Sequence, residues 1–253
     1  MSDDIGPILR SWKYTPNDIN VRIIDGVDGK QKLQMRLDLG ILQMELDGRP
    51  DGRRPHKCDS YLSYYERKVQ KLSRIEAEDE KFVLSALDCL FLQQEAIQFY
   101  HRYLALMKLG DFARVARDTS RNLRVFDFVS EFSDNDEIRW SFEQYRPYVI
   151  MMHARALASL SMEKSNYDEA LGIVQRAISQ IRAFYEKYAD RIGEEHFEVD
   201  FLQQWAEEIK GKKPLSERER LTQELEQAIA REEYERAAKL RDELLYLDPN
   251  RMG

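Results

Sequence analysis

From about Ser60 to Lys210 the apolar side chains recur at helical spacing, interrupted by three glycines and by Pro147 alone among prolines. So few breakers over such a length leave little choice beyond helices packed on helices, because strands need turn residues every few positions. The 3.6-residue period predicts helices near 60–77, 80–108, 111–132, 136–163, 167–190 and 195–210. Ser133-Asp134-Asn135-Asp136 reads as a turn followed by a cap. Pro147 should start or kink a helix, since its ring removes one backbone donor. The fold class expected is mainly α, an array of antiparallel helix pairs with a β-hairpin before it and a helical hairpin after it.

Two of the helix turns repeat. Leu109-Gly110-Asp111-Phe112-Ala113-Arg114-Val115 and Lys164-Ser165-Asn166-Tyr167-Asp168-Glu169-Ala170 each place an aromatic just after a polar turn and a small or branched residue three positions on. The copies lie 55 residues apart, too far for a regular 34-residue unit. In the turn and the second helix of each, these pairs resemble tetratricopeptide-type helix pairs, and that resemblance implies a stack with a surface for protein partners. Glu232-Glu233-Tyr234-Glu235-Arg236-Ala237 has the same aromatic-x-x-small pattern.

Before residue 56 the hydrophobic period changes to two. Val21 and Ile23 alternate, Asp25 to Gly29 reads as a turn, and Leu33, Met35, Leu37 and Leu39 alternate again. Beyond Gly40 the alternation shifts by one position to Leu42, Met44 and Leu46. One glycine is too short to reverse a chain, so the pattern predicts a single strand from Lys32 to Leu46 with a bulge at Gly40. The strand from Asn20 to Ile24 covers only half of that length. The uncovered half, with Ile41, Leu42, Met44 and Leu46, is then a candidate for pairing across a homodimer. Arg49, Arg53 and Arg54 follow on a turn rich in Gly and Pro and are candidate anion-binding residues. Residues 20–57 carry eight basic and six acidic side chains, a weak footprint for nucleic acid.

At the other end, Gly211-Lys212-Lys213-Pro214 reads as a linker. Ser216 and Glu219 have the spacing of a capping box. Leu221, Leu225 and Ile229 then recur every four residues, and Tyr234, Ala237, Ala238, Arg241, Leu244 and Leu245 share a face of a second short helix. Through Leu225-Glu226, Ala228-Ile229, Glu233-Tyr234-Glu235, Ala237-Ala238 and Leu240-Arg241-Asp242, this segment resembles the UVR motif, a helical hairpin found in UvrB, UvrC and some Clp-protease regulators. The resemblance implies protein–protein contact, without catalysis, in an excision-repair or a Clp and arginine-kinase type of system. The partner-contacting residues it implies are Leu225, Ile229, Tyr234, Ala237, Ala238, Leu240, Arg241, Asp242 and Leu244. Zinc-binding CxxC pairs of the Clp regulators and the helicase or nuclease motifs of the repair enzymes do not occur here. Two short helices have too little apolar surface to be stable alone, so the hairpin should dock on something.

The organisation expected is therefore 1–57, 58–210 and 211–253. A net charge of −7 repels nucleic-acid backbones, so the Arg-rich turn used as a DNA-repair contact is the alternative to an adaptor. Cys58 and Cys89 have no paired spacing, and His56, His101, His153 and His196 are scattered, so neither a metal nor a cofactor is expected. Phosphate-cradling glycine loops, nucleophile elbows and HExxH helices are absent. The start, Met-Ser-Asp-Asp, is unlike a signal peptide, and no apolar run has the length of a membrane span. A cytoplasmic, non-catalytic interaction protein is the expectation.

Overall fold

The computed structural model describes residues 4–74, 82–193, 197–215 and 217–246. The chain divides into two compact units, Met1–Glu207 and Glu208–Gly253. The chain is mainly helical, with one small antiparallel sheet near the amino terminus.

That sheet has three strands, β1 (Asn20–Asp25), β2 (Gln31–Arg36) and β3 (Ile41–Glu45), in the order β1-β2-β3. A single strand from Lys32 to Leu46 is therefore incorrect. Arg36 pairs with Ile41, and the Leu37 N–H donates to the Gly40 carbonyl at 2.8 Å. Leu37 and Leu39 continue the alternation in sequence but belong to a four-residue turn, where they are 42% and 92% exposed. With them in the turn, the loop is long enough to reverse the chain. Ile41, Leu42 and Met44 pair along one side with Arg36, Met35 and Leu33 of their own chain, and β3 forms an edge of the sheet. Leu33, Met35 and Met44 share the buried face of the sheet. Its other face is a polar ladder in which Arg22 Nε donates to Gln34 at 2.8 Å and the Gln34 amide donates to Gln43 at 2.9 Å. The Trp12 ring covers the Arg22 guanidinium at 4.0 Å. A short helix, α1 (Gly6–Ser11), precedes the sheet.

The helical body contains α2 (Tyr61–Arg74), α3 (Ala86–Leu109), α4 (Phe112–Phe132), α5 (Asp136–Glu143), α6 (Arg146–Glu163), α7 (Tyr167–Lys187) and the first part of α8 (Phe197–Lys212). α3 begins later than the period suggests. Ser85 and Asp88 form a reciprocal capping box, and the preceding Leu84 N–H donates instead to the Phe132 carbonyl at 2.8 Å. The helix expected over 136–163 is two helices. Gln144 ends α5, Tyr145 starts α6, and Pro147 sits in the first turn, where its missing donor costs nothing. α7 stops at Lys187, three residues short of the expected end. Asn135 caps α5 through the Glu137 and Ile138 N–H groups, as the turn reading expects.

α4 packs on α3 and α6, and α6 packs on α7. No residue of α6 before Glu163 is exposed, as befits a helix enclosed by neighbours. Leu62, Tyr65, Leu92, Val125, Phe126 and Phe142 are at the centre of one core cluster. Phe128 belongs to the same cluster and Phe132 and Tyr148 pack against it, while Tyr145 is 56% exposed. Cys89 is a small core residue whose thiol burial pushes up to about 11.

Candidate functional site: the terminal hairpin and the arginine turn

The hairpin is built by α9 (Glu217–Ala230) and α10 (Tyr234–Tyr246). Gly211 and Lys212 are the last residues of α8, so the connection is shorter than the sequence suggests; the helix ends ahead of Pro214. Ser216 of the proposed capping box lies outside the described residues. The turn between α9 and α10 follows from one residue, Glu232, whose φ is +61°. That left-handed step lets the Glu233 N–H donate back to the Ala228 carbonyl at 2.9 Å and the Glu232 N–H to the Ile229 carbonyl at 3.0 Å. The Ala237 N–H then opens the next helix by donating to the Glu233 carbonyl at 2.9 Å.

The same construction occurs twice in the body. Gly110 has φ +76°, with the Asp111 N–H donating to Leu106 at 3.0 Å; Ser165 has φ +61°, with the Asn166 N–H donating to Ser161 at 2.8 Å. In all three turns the accepting residue (Leu106, Ser161, Ala228) and the residue three after the aromatic (Val115, Ala170, Ala237) are buried. The repeat seen in sequence is thus one structural turn used three times.

Within the hairpin Leu221, Ala228, Ala237 and Leu240 are buried, with Leu225 and Leu244 packed at the edge. Small residues at 228 and 237 allow the helices to approach beside the turn. Of the nine expected contact residues, Ala237 and Leu240 are therefore interior, and Leu225 and Leu244 are partly so. Ala237 and Leu240 hold the hairpin together and are not free to meet a partner. Ile229 is 54% and Tyr234 69% exposed, and Ala238 is exposed as well. Arg241 and Asp242 are exposed and pair with each other at 3.0 Å. Leu245, 40% exposed, extends the line of Tyr234, Ala238 and Arg241 along α10. A four-residue repeat drifts by about 40° per step around a helix, so Leu221 faces the hairpin interior with Ala228, Leu225 lies at its edge and Ile229 turns outward.

The arginine turn behaves differently. Arg49 is 8% exposed, forms two bonds to Asp51 at 2.9 and 2.6 Å and lies 3.2 Å from Glu95, so it is not available to an external anion. Arg54 pairs with Asp59 at 2.7 Å, both exposed, and Arg53 is exposed. What this turn builds is an internal joint. Glu95, buried on α3, is held between Arg49 and Arg121 and accepts from the Tyr61 N–H at 2.8 Å. Arg102, fully buried, donates to Asp118 at 2.6 and 2.8 Å and to the carbonyls of Glu45 and Gly48 at 2.9 and 2.8 Å. Arg114 and Arg117 hold the Asp47 carboxyl below its usual range. The end of β3 is thereby fastened to α3 and α4 through charges that satisfy one another.

Among the described residues no group of three or more His, Cys, Asp or Glu is placed to hold a metal ion, and no helix is long and apolar enough to cross a membrane. His56 stacks on Tyr64 at 4.1 Å, Cys58 is buried, and His196 lies outside the described residues.

Compared with known families, residues 216–248 match the UvrB/uvrC motif, UVR. The match covers the hairpin and does not extend to the tetratricopeptide-like pairs of the body. No curated protein and no solved structure matches the chain.

Proposed function

We propose that this chain is a non-catalytic adaptor whose terminal hairpin docks a protein partner. The observation that carries the reading is the division of labour within the hairpin. Leu221, Ala228, Ala237 and Leu240 close a small interior, which leaves Ile229, Tyr234 and Leu245 as apolar side chains on its outside. An aromatic flanked by small and aliphatic residues on a rigid helix is the composition of a contact hot spot. The UvrB/uvrC motif supports a role in contact, and the partner systems it suggests are excision repair and Clp-type proteostasis. The body contributes a platform rather than a reaction site.

Affinity purification of the full chain and of an Ile229→Asp, Tyr234→Asp double variant from the same cells tests this. Both positions are exposed, so the variant retains its fold, and the hairpin-dependent partners should vanish from the variant's set. Recovery of the same partners with both proteins overturns the reading. Leu244→Asp is the wrong probe, because Leu244 packs on the hairpin interior and its loss would unfold the element.

A further inference from the structure

Among the described residues of α2 to α7, six arginines are buried or half-buried. Five of them meet a carboxylate: Arg102 pairs with Asp118, Arg114 with Asp111, Arg121 with Glu95, Arg139 with Asp136 and Arg146 with Glu143. The sixth, Arg155 of α6, has no carboxylate partner among the described residues. Its Nη1 lies 3.5 Å from the Met152 sulfur, a weak acceptor, and its guanidinium lies over the Phe201 ring of α8 at 4.8 Å. Burial lowers its pKa, and Tyr148 offsets that in part. An arginine keeps its charge even so, and a half-buried charge without a counter-ion costs the fold free energy.

Stacking uses the face of a guanidinium and leaves its edge, where the donors are, to bind something else. Apart from the contact to Met152 that edge has no partner among the described residues, and none of its nitrogens is buried without one, so its donors open to solvent. The side chain leans along α6 towards Met152, the direction in which Tyr148 lies two turns earlier on the same face. The Tyr148 ring is 6.2 Å from that of Tyr100 on α3. Burial, with Tyr100 and Glu198 nearby, pushes the Tyr148 hydroxyl up to about 12, so it keeps its proton and can donate. Neither the Tyr100 nor the Tyr148 hydroxyl has a hydrogen-bond partner among the described residues. Glu198 does not neutralise Arg155; it accepts from the Tyr185 hydroxyl. We propose that Arg155 is the centre of a ligand site, flanked by Tyr100, Tyr148 and Phe201, and that it takes a carboxylate carried on an apolar or aromatic group. The planar fork of a single arginine matches a planar carboxylate, and the rings suit the body that carries it. A phosphate brings more charge than one cation offsets and gains nothing from the rings. A free organic acid and an acidic residue in a peptide present the same chemistry. The site does not depend on the hairpin reading.

Two probes stand for the two sources, phenylpropionate for a free acid and N-acetyl-phenylalanyl-aspartate amide for a peptide. In the nitrogen-labelled full chain both should move the Arg155 Nε–H resonance, identified by its loss in Arg155→Lys, saturably and with a dissociation constant on the order of a few millimolar. The tighter of the two identifies the source. Phenylpropionamide, with the same ring and no charge, should bind at least about tenfold more weakly. Saturation-transfer measurements on the ligands should show a loss of about tenfold in Arg155→Gln and of about threefold in Tyr148→Phe. Tyr148→Phe keeps the ring and removes a hydroxyl that no described group uses, so its thermal midpoint should match the wild type and it tests the site even if Arg155→Gln impairs folding. The proposal is overturned if neither carboxylate moves the Arg155 signal by about 50 mM, or if the amide or inorganic phosphate binds as tightly as the acids. Unchanged affinity in a folded Arg155→Gln, or in Tyr148→Phe, overturns it as well.

Discussion

The turn at Gly110 and the turn at Glu232 share their hydrogen bonds and differ in what surrounds them. After Gly110, Phe112 is half-buried and its helix α4 packs on both α3 and α6. After Glu232, Tyr234 is 69% exposed, and the hairpin interior consists of four buried residues. The local code directs how two helices turn and which residue seals the corner. It leaves open what the aromatic meets, since that depends on whether a third helix arrives. The body therefore turns the motif into a core, and the hairpin turns it into a surface.

The sharpest contrast between the two regions should be electrostatic. Arg102→Met leaves Asp118 buried with Arg117 alone and removes two donors to the β3 loop, which should cost about 3–5 kcal/mol in urea denaturation. Amide exchange in β1 to β3 should rise at the same time. In the hairpin Arg241→Met, at an exposed pair, should leave stability within error of the wild type. Equal effects at the two sites would break the distinction between a charge joint and a solvated face.

Packing comes next. Leu240→Ala removes one of two fully interior leucines from the hairpin and should cost about 2–3 kcal/mol there, enough to raise amide exchange throughout α9 and α10. The body should keep its protection and its unfolding transition. If both regions lose protection together, they do not fold as separate units.

The legible part of this molecule is the part governed by short-range rules. Helical periodicity placed the body, and the aromatic-x-x-small pattern placed three turns whose hydrogen bonds coincide. Two sorts of feature escaped. One was the reversal at Leu37 to Gly40, because Leu37 and Leu39 extend an apolar alternation that only strand pairing can interrupt. The other was the role of individual side chains. Arg49 on a Gly- and Pro-rich turn has the sequence context of a surface ligand, yet Glu95, distant in the chain, draws it inside. In the hairpin the period located the helices but could not separate Ala228 and Leu240, which face each other's helix, from Ile229 and Tyr234 beside them.

The body should also be the acid-sensitive region, by a smaller margin. Burial lowers the pKa of His153, which lies 2.9 Å from the Thr119 hydroxyl, and burial lowers that of His101 too. The unfolded chain then binds these protons more readily than the folded one. Stability is present above the unfolded value near 6.5 and falls as pH drops through it towards the folded value. The urea midpoint should decline over that window, and His153→Gln should flatten the decline. A hairpin signal, from exchange in α10, should not follow the same curve, since no histidine lies in the described part of the hairpin.

The smallest test compares the turns directly. Glu232 adopts φ +61° and Gly110 φ +76°, but a side chain in that region costs about 1 kcal/mol and glycine avoids it. Glu232→Gly should therefore stabilise the hairpin by up to about 1 kcal/mol, read as slower exchange in α9. Gly110→Ala should destabilise the body by a similar amount, and for the same reason. A Cβ added at Gly110 would meet nothing within 4 Å, so the whole loss reports backbone conformation and none of it reports crowding. Opposite signs at the two positions are required if the turns are one device. A Gly110→Ala variant as stable as the wild type would mean that the surrounding helices, rather than the left-handed step, hold the body's corner.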